Sequence, residues 1–333
     1  MEPLVVFAGY VARQPPHRQK TYKEPNRADG SPKRAMDLVE RLRASWDSNG
    51  PPEWSVTELM ASISDIAYQT PPAAKRSYRG LGFERIRPII EDSMAVYVVS
   101  AKNVAVIAFR GTDDLADWLV NLNALSMRTP HGRVHRGFAT TYTKLEKEVM
   151  AALQKQQPKH LWVTGHSLGG ALAVVCAHRL IENEKLPLHG IITFGQPMVA
   201  RKRLADYLDK QLSGRYARIV NGADIVPQVP PAYAHCGSLL HLTDDGIRRS
   251  KAKCPVGGAY PDEPINAREE ASRPLTDHQF QALKATLKQR KESEKRPDGP
   301  PVYQGNMPWL RDHSIKLYLA KVRSMIGPTG QSL

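Results

Sequence analysis

The sequence predicts an α/β protein with a mostly parallel central sheet and helices on both faces. From residue 161 onward, short apolar runs typical of buried strands alternate with helical segments, and this alternation is characteristic of a parallel sheet covered by helices. The chain has 333 residues, 41% of them hydrophobic, which is enough to bury the core of such a sheet.

The residues ahead of this alternation predict a leader, two helices and a hairpin. Residues 1–34 are rich in Pro, Arg and Lys without an apolar period, so we expect a flexible basic leader before a single domain over 35–333. The helix that follows Ser55 has Glu58 three residues further on, which predicts a capping box. The predicted elements are helices over 35–46 and 55–68 and hairpin strands over 94–100 and 103–109.

The second half of the chain supplies the alternating elements and a surface insertion. The predicted elements are a strand over 161–164, a helix from Ser167 to about Ile181, a strand over 191–194, a helix near 200–212 and a strand over 216–220. From Thr243 the chain becomes charged and aperiodic, so we expect a surface insertion over about 243–311 that contains a basic helix at about 276–295. A final helix is predicted from His313 to about Ile326.

The segment VTGHSLGGALA places a serine at a sharp corner between an apolar run and a run of small residues. A serine hydroxyl is a poor nucleophile until a base takes its proton and its oxygen is clear of the backbone. A tight strand-to-helix turn exposes the oxygen, and it leaves no room for side chains at Gly165 and Gly169. The pattern therefore predicts Ser167 as a nucleophile.

The acid and the base are expected after the serine in the order Asp or Glu, then His. Asp224 follows the predicted strand over 216–220 and is the candidate acid. The histidines that follow it are His235, His241, His278 and His313. His241 lies in an apparent strand and is expected to be packed, and His278 lies on a polar helix and is expected to be solvated. The spacing leaves both His235 and His313 open as the base.

Charge and composition restrict the partners. The net charge of +14 fits an anionic surface. The basic run at Lys284, Lys288, Arg290, Lys291, Lys295 and Arg296 has no interleaved aromatic residues, so a solvated face is expected and nucleic acid is not. No apolar run reaches eighteen residues, and no basic region precedes the apolar N-terminal stretch, so the expectation is a cytoplasmic protein. Cys176, Cys236 and Cys254 are too scattered for a disulfide framework or a metal site.

Several segments together resemble the class 3 lipases, the family of the fungal triacylglycerol lipases with an α/β-hydrolase fold. The segments, in order, are AFRGTDDLADWLVNL (108–122), VHRGF (134–138), GHSLGGALA (165–173), TFGQP (193–197), IVNGADIVPQVPP (219–231), YAHCG (233–237) and DHSIKLY (312–318). The secreted members carry a signal sequence and disulfides, and this chain shows neither. The tryptophan-bearing segment that often follows the YxHxG pattern is replaced here by SLLHL.

The resemblance implies a role for each candidate. Ser167 would be the nucleophile, Asp224 would orient the base, and His313 would be that base, since the histidine of the YxHxG segment is structural in such lipases. Thr112, through its backbone N–H and hydroxyl, and the backbone N–H of Leu168 would form the oxyanion hole, which agrees with the two donors that a tetrahedral intermediate requires.

The resemblance also implies a short lid helix over the DDLADWLVNL segment. Leu115, Trp118 and Leu119 fall at i, i+3 and i+4, which forms an apolar helical stripe. An ordinary surface helix would show the same stripe.

The implied activity is hydrolysis of lipid esters, most simply acylglycerols, through an acyl-enzyme, with no cofactor or metal. The alternatives are a phospholipase, an esterase for soluble esters, and a catalytically silent module of the same fold that binds a lipid or a partner. A transient association with an anionic membrane or lipid-droplet surface is expected from the charge, and the oligomeric state is left open.

Overall fold

The structure is a computed structural model that describes residues 42–43, 52–182, 188–244, 246–250, 273–294 and 308–326. The predicted leader over 1–34 and Cys254 lie outside these ranges. Of the helix predicted over 35–46, only Leu42 and Arg43 are described, and both are helical. Leu42 is buried, and its carbonyl accepts a hydrogen bond of 3.2 Å from Trp162 Nε1.

Within the described residues, ten strands form one large sheet and one small hairpin. The strands are β1 (Arg85–Glu91), β2 (Met94–Ala101), β3 (Val104–Phe109), β4 (Ser126–Thr129), β5 (Gly132–His135), β6 (His160–His166), β7 (Leu188–Phe194), β8 (Tyr216–Asn221), β9 (Ser238–Thr243) and β10 (Gly246–Ser250). The eight-stranded sheet has the order β1-β2-β3-β6-β7-β8-β9-β10, and β4 pairs with β5. In this sheet the neighbouring strands β3, β6, β7, β8 and β9 run parallel to one another. Strands β1 and β2 at one edge and β10 at the other edge pair antiparallel to their neighbours. The prediction of a mostly parallel sheet is confirmed.

Helices cover both faces of this sheet. They are α1 (Trp54–Ile66), α2 (Pro71–Gly80), α3 (Leu115–Asn121), α4 (Arg136–Gln156), α5 (Leu168–Glu182), α6 (Lys202–Gln211), α7 (Asp277–Glu294), α8 (Pro308–Arg311) and α9 (Ile315–Ser324), with a 3₁₀ turn at Val226–Gln228. Alternate residues of β3 face opposite cores: Ile107 lies in the core beneath α4 and α5, and Val106 lies in the core beneath α1 and α9. A strand with both faces covered is continuously apolar, as the 103–109 run is.

The start of α1 differs from the sequence prediction. The helix begins at Trp54 with Glu53 at the N-cap, and no side chain caps it. Ser55 therefore lies inside the first turn, where its hydroxyl donates to Glu53 Oε2 at 3.3 Å. Glu58 instead accepts a hydrogen bond from Arg323 Nε at 2.8 Å. The helix therefore begins one residue before the predicted start at Ser55. Its first residue, Trp54, is 7% exposed, and burial of this side chain favours the longer helix.

The predicted insertion contains more ordered structure than expected. Residues 246–250 form β10, which pairs with β9 at the edge of the sheet, so the expectation of an aperiodic surface segment is wrong there. The predicted basic helix is confirmed as α7, but one of its sides is not solvated, because Phe280, Leu283 and Leu287 are buried in the main core. Residues 251–272 and 295–307 lie outside the described ranges.

Some elements had not been predicted, namely α2, β1, the β4–β5 hairpin and α4. In α4 the signal was present, since Phe138, Tyr142, Leu145, Val149 and Leu153 recur every three to four residues and are buried. Within the described ranges, no helix is both long and apolar enough to cross a membrane.

Candidate active site

Ser167 occupies the turn between β6 and α5 at the carboxyl end of the parallel strands. Its φ is +58°, a left-handed conformation that costs energy in any residue with a Cβ and that is concentrated at functional sites. Its backbone N–H donates to the Phe194 carbonyl at 2.9 Å, which ties the turn to the end of β7. The turn predicted from the sequence is therefore confirmed.

The two glycines around Ser167 are required by close backbone contacts. A Cβ at Gly165 would lie 2.4 Å from the Gly169 carbonyl, and a Cβ at Gly169 would lie 2.2 Å from the Phe109 carbonyl. Both distances are far below van der Waals contact. The strand, the turn and the first turn of α5 therefore pack in a way that no side chain at either position allows.

Asp224 follows β8 and is fully buried. Its Oδ1 accepts the Val226 backbone N–H at 2.9 Å. Its Oδ2 accepts two further hydrogen bonds, one of 2.8 Å from His313 Nδ1 and one of 2.6 Å from the Tyr318 hydroxyl. Three donors thus satisfy a carboxylate that burial would otherwise make unstable.

His313 lies in the short loop between α8 and α9, where it is 4% exposed. Because its Nδ1–H donates to a carboxylate, its Nε2 is the acceptor in the neutral ring. Gly195 marks where this pair lies relative to the turn: a Cβ there would lie 2.7 Å from Asp224 Oδ2 and 2.9 Å from His313 Nδ1. Gly195 directly follows Phe194, whose carbonyl binds the Ser167 N–H. The acid, the base candidate and the corner serine therefore lie around the end of β7.

The hydroxyl of Ser167 and Nε2 of His313 do not form a hydrogen bond with each other in this structure. Both atoms are buried, and neither has a hydrogen-bond partner among the described residues. A hydroxyl can donate a hydrogen bond, and Nε2 is the nitrogen that accepts one when the ring is neutral, so their hydrogen-bonding capacities match.

The other candidate histidines lie elsewhere. His235 Nε2 is 2.6 Å from the Pro227 carbonyl, and burial together with the nearby Arg218 holds the pKa of its ring well below the ordinary value. His241 lies in β9, where its Nε2 is 2.8 Å from the Gly222 carbonyl. His278 is exposed on α7. Of the two histidines that the spacing left open, His313 is the one that the fold brings to Asp224.

The predicted oxyanion residues lie beside the serine. A Cβ on Gly111, the residue before Thr112, would lie 3.2 Å from the Ser167 Cβ. Leu168 is the first residue of α5, so its N–H has no partner within the helix. The Thr112 hydroxyl is 3.2 Å from the Asp114 N–H and 3.3 Å from the Asp114 carbonyl, both in the turn that leads into α3.

The predicted lid segment forms α3, with Asp114 capping it through a 2.8 Å hydrogen bond from the Asp117 N–H. Its apolar stripe faces inward. Leu119 is fully buried, and Leu115 and Trp118 pack against the main core, with the Trp118 ring stacked 6.3 Å from that of Phe138.

Helix α7 lies against α3. Lys284 Nζ donates to the Leu122 carbonyl at 2.6 Å, just beyond the end of α3, and Lys291 forms an ion pair with Asp117. Burial lowers the pKa of Lys284. Lys284 and Lys291 were expected on a solvated face. In the structure they attach α7 to α3, the predicted lid.

Sequence reasoning did not identify Tyr318, although the residue ends the DHSIKLY segment. Burial, together with the adjacent Asp224, raises the pKa of Tyr318 well above its ordinary value. The hydroxyl therefore stays protonated and donates a hydrogen bond to the carboxylate of Asp224. Tyr318 is buried on α9, and no local pattern indicates that its hydroxyl reaches a loop 94 residues earlier in the chain.

The site is closed to solvent. Ser167 is 1% exposed. A surface cleft of about 540 Å³ lies between β1 and α4. Its lining does not include Ser167, Asp224 or His313. Within the described ranges, no group of three or more His, Cys, Asp or Glu side chains could hold a metal ion.

Comparison with known proteins agrees with this geometry. Residues 106–234 match the profile of the family Lipase (class 3). A lipase of Rhizomucor miehei is 35% identical over 152 residues, which cover 42% of each chain. A chloroplastic phospholipase A(1) of Arabidopsis thaliana is 32% identical over 149 residues, which cover 38% of this chain and 33% of the relative. The matched segments thus span less than half the length of these relatives.

The fold has solved counterparts. A triacylglycerol lipase described as having a serine protease triad as its catalytic centre superposes with a TM-score of 0.50 and 26% identity, over 60% of this chain and 86% of that one. The profile match covers the predicted oxyanion segment, the serine turn and Asp224, and the solved counterpart shares the α/β-hydrolase fold. Residues 106–234 of the chain are therefore similar to the class 3 lipases.

Proposed function

We propose that the protein is a serine carboxylic-ester hydrolase that acts on acylglycerols or related lipid esters. The observation that carries the proposal is the 2.8 Å hydrogen bond between His313 Nδ1 and Asp224 Oδ2, made beside a serine held in a left-handed turn. An imidazole oriented by a carboxylate next to a corner serine is the arrangement that acyl transfer requires.

In the proposed mechanism, His313 Nε2 takes the Ser167 proton as Oγ attacks the ester carbonyl. The backbone N–H groups of Thr112 and Leu168 donate hydrogen bonds to the oxyanion, and each lowers the activation free energy by roughly 3 kcal/mol. Collapse of the tetrahedral intermediate breaks the ester bond, and His313 returns the proton to the departing alcohol. Water, deprotonated by the same ring, then attacks the acyl carbonyl; as the bond to Ser167 Oγ breaks and the acid leaves, the ring returns that proton to Oγ. Asp224 maintains the ring tautomer and stabilises the imidazolium.

The decisive experiment replaces Ser167 with alanine. The variant should lose turnover of a 4-nitrophenyl ester while its circular dichroism spectrum stays that of the parent protein. A fluorophosphonate probe should label the parent protein and not the variant. Turnover retained by the variant would refute the assignment.

A catalytically silent binding module is the second candidate, because the serine is sealed and the hydroxyl–imidazole hydrogen bond is not formed. This candidate predicts that the probe fails to label the folded parent protein, even in the presence of detergent micelles.

The substrate we propose is a fatty acyl ester of a glycerolipid. Two relatives support this class: one is a lipase and the other a phospholipase A(1). A series of acyl chain lengths, assayed below and above each ester's solubility limit, separates the possibilities. A rise in rate when an emulsion forms indicates a lipase, whereas saturation below that limit indicates an esterase for soluble esters.

We propose that α3 is a lid that moves when the protein meets an anionic lipid surface. The sealed serine supports a movement of this kind, because an ester cannot reach Ser167 otherwise. Leu125 and Met127, shortly after α3, are 49% and 41% exposed, and Arg128 and Arg133 are exposed beside them. Apolar tips flanked by basic side chains fit the surface of an anionic bilayer.

Vesicle sedimentation tests this surface. The double variant Leu125→Ser, Met127→Ser should bind vesicles that contain phosphatidylserine more weakly than the parent protein. Ile90→Ser is the matched control, because Ile90 is 54% exposed on β1. Equal binding by all three proteins would exclude this surface.

A further inference from the structure

His166, the residue immediately before the corner serine, makes two hydrogen bonds that the mechanism above does not use. Its Nε2 is 2.6 Å from the backbone carbonyl of His313, and its Nδ1 is 2.8 Å from the hydroxyl of Tyr68. The side chain is 4% exposed, and its ring centroid lies 4.5 Å from that of His313. One buried imidazole thus links the serine strand to the base candidate and to the segment after α1.

The direction of each hydrogen bond follows from the chemistry of the groups. A carbonyl oxygen only accepts, so Nε2 of His166 carries a proton and donates it to His313. Burial, with the neighbouring His313 ring, holds the pKa of His166 well below its ordinary value, so the ring is neutral and its Nδ1 accepts. Burial raises the pKa of Tyr68, so its hydroxyl is protonated and donates to that nitrogen.

The His313 loop is fastened from two sides. On the acid side, Asn221 Nδ2 donates to the Asp312 carbonyl at 2.8 Å, and the Ala223 N–H donates to Asp312 Oδ2 at 2.9 Å. These bonds hold the loop to the end of β8, which leads to Asp224. The hydrogen bond from His166 holds the same loop to the end of β6, which leads to Ser167.

Tyr68 extends the connection to the oxyanion segment. A Cβ on Gly111 would lie 2.1 Å from the Tyr68 hydroxyl and 2.7 Å from the His166 carbonyl. The residue before Thr112 is therefore packed directly against the pair formed by Tyr68 and His166. Displacement of either side chain would be felt at the base candidate and at the oxyanion segment.

We propose that His166 is a positioning residue that sets the distance and orientation of the His313 imidazole relative to the Ser167 hydroxyl, with Tyr68 fixing the tautomer of His166. The catalytic consequence rests on the proposed hydrolase function. A neutral His166 also avoids placing a second positive charge 4.5 Å from the imidazolium that forms when His313 takes the serine proton.

The test compares His166→Leu, which removes the donor, with His166→Gln, whose side-chain amide can still donate to the His313 carbonyl. His178→Leu is the matched control, since His178 is a 2% exposed histidine further along α5 that pairs with Glu182. For Tyr68→Phe the control is Tyr78→Phe, which loses a buried hydrogen bond of 3.0 Å to the Ile63 carbonyl. All rates are normalised to the folded fraction measured by urea unfolding.

We expect His166→Leu to lower kcat by roughly 10²-fold with KM nearly unchanged, the loss typical of a displacement of about 1 Å at a reacting group. His166→Gln should recover most of that loss, and Tyr68→Phe should lose less than His166→Leu. The two control variants should keep the parent kcat. Equal losses in His166→Leu and His178→Leu, or no recovery with glutamine, would overturn the proposal.

A second measurement separates this proposal from the hydrolase function. The ¹⁵N resonances of the His313 ring report its hydrogen bonding whether or not the protein turns over an ester. They should shift in His166→Leu and stay unchanged in His178→Leu. Resonances unmoved in His166→Leu would overturn the positioning role, whereas an inactive parent protein with shifted resonances would overturn the hydrolase function alone.

Discussion

The carboxyl ends of the parallel strands are held together by one kind of contact, and helices α3 and α7, called the cover below, are held to each other by another. At the strand ends, Ser167, Asp224 and His313 are almost fully buried, and Asp224 alone accepts three hydrogen bonds. Helices α3 and α7 are attached by an ion pair between Lys291 and Asp117, whose side chains are 46% and 37% exposed, and by the hydrogen bond from Lys284 to the Leu122 carbonyl. The apolar stripe of α3 also packs against the main core, with Leu119 fully buried.

These contacts differ in strength. A buried hydrogen bond to a charged group contributes about 1.5–3 kcal/mol, whereas an exposed ion pair contributes about 0–1 kcal/mol. The ion pair therefore adds little to the free energy that holds α7 against α3, whereas the hydrogen bonds at the strand ends hold Asp224 and His313 together.

The largest expected effect is that of Asp224→Asn. The amide group can donate to His313 Nδ1 and so favours the wrong ring tautomer, and it carries no charge to stabilise the imidazolium. The kcat for a 4-nitrophenyl ester should therefore fall by about 10⁴, by analogy with serine proteases. Asp209→Asn is the control, because Asp209 also holds a backbone N–H, that of Gly237 at 2.6 Å, away from the site. A loss below tenfold in Asp224→Asn would show that the strand ends are not the centre of the chemistry.

Tyr318→Phe should have the next largest effect. The change removes the 2.6 Å hydrogen bond to Asp224 Oδ2 and leaves the other two. The free energy of unfolding should fall by about 1.5–3 kcal/mol, and kcat should fall by roughly tenfold. Urea unfolding and ester turnover measure the two quantities. If kcat is unchanged, the hydroxyl contributes to the fold and not to the orientation of the acid.

The stability of the fold should also be sensitive to acid, because several of its histidines are buried. Burial lowers the pKa values of His166 and His235 well below the ordinary value of 6.5. Below about pH 6.5 the unfolded chain binds protons that the folded chain does not, so the free energy of unfolding should decrease as the pH falls. Above that pH these rings are neutral in both states and contribute no slope.

Urea unfolding between pH 7.5 and 5.0 measures this slope. Each buried neutral histidine contributes up to about 1.4 kcal/mol per pH unit. His235→Gln should reduce the slope by one such contribution. A flat profile in the parent protein would contradict the assignment of neutral buried rings.

The smallest effect is expected at the cover. Lys291→Ala removes the ion pair with Asp117, and turnover of a soluble ester should rise by about two- to threefold, since an exposed pair contributes less than about 1 kcal/mol. Lys288→Ala on the same helix is the control, since it removes one positive charge and leaves the ion pair between Lys291 and Asp117 in place. High salt should raise the parent rate toward that of Lys291→Ala. A tenfold rise would mean that the cover depends far more on this contact than its exposure indicates.

Local sequence was sufficient for some of the site. The turn at Ser167 was predictable because the geometry depends on its own neighbours: Gly165 and Gly169 make room for backbone atoms that come within contact distance. The apolar stripe on α3 and the strand over 103–109 were likewise predictable, because both follow from the spacing of apolar residues along the chain. Asp224 was predictable because a turn after a parallel strand lies at the same edge of the sheet as the serine.

Other features required the assembled fold. Spacing left His235 and His313 open, because either could follow the acid in the chain. The structure separated them by giving His235 the Pro227 carbonyl and His313 the Asp224 carboxylate. The start of α1 and the strand β10 were mispredicted because burial of Trp54 and pairing with β9 outweighed the local pattern.

The sequence by itself determined the α/β alternation, the strained corner at Ser167 and the helical stripe of α3, since each depends on interactions within a few residues. Only the tertiary structure decided that His313 meets Asp224, that Tyr318 and His166 form hydrogen bonds with these two residues, and that α7 packs against α3. Those contacts join residues tens to hundreds of positions apart, and the packing of the whole sheet and its helices sets the distances between them.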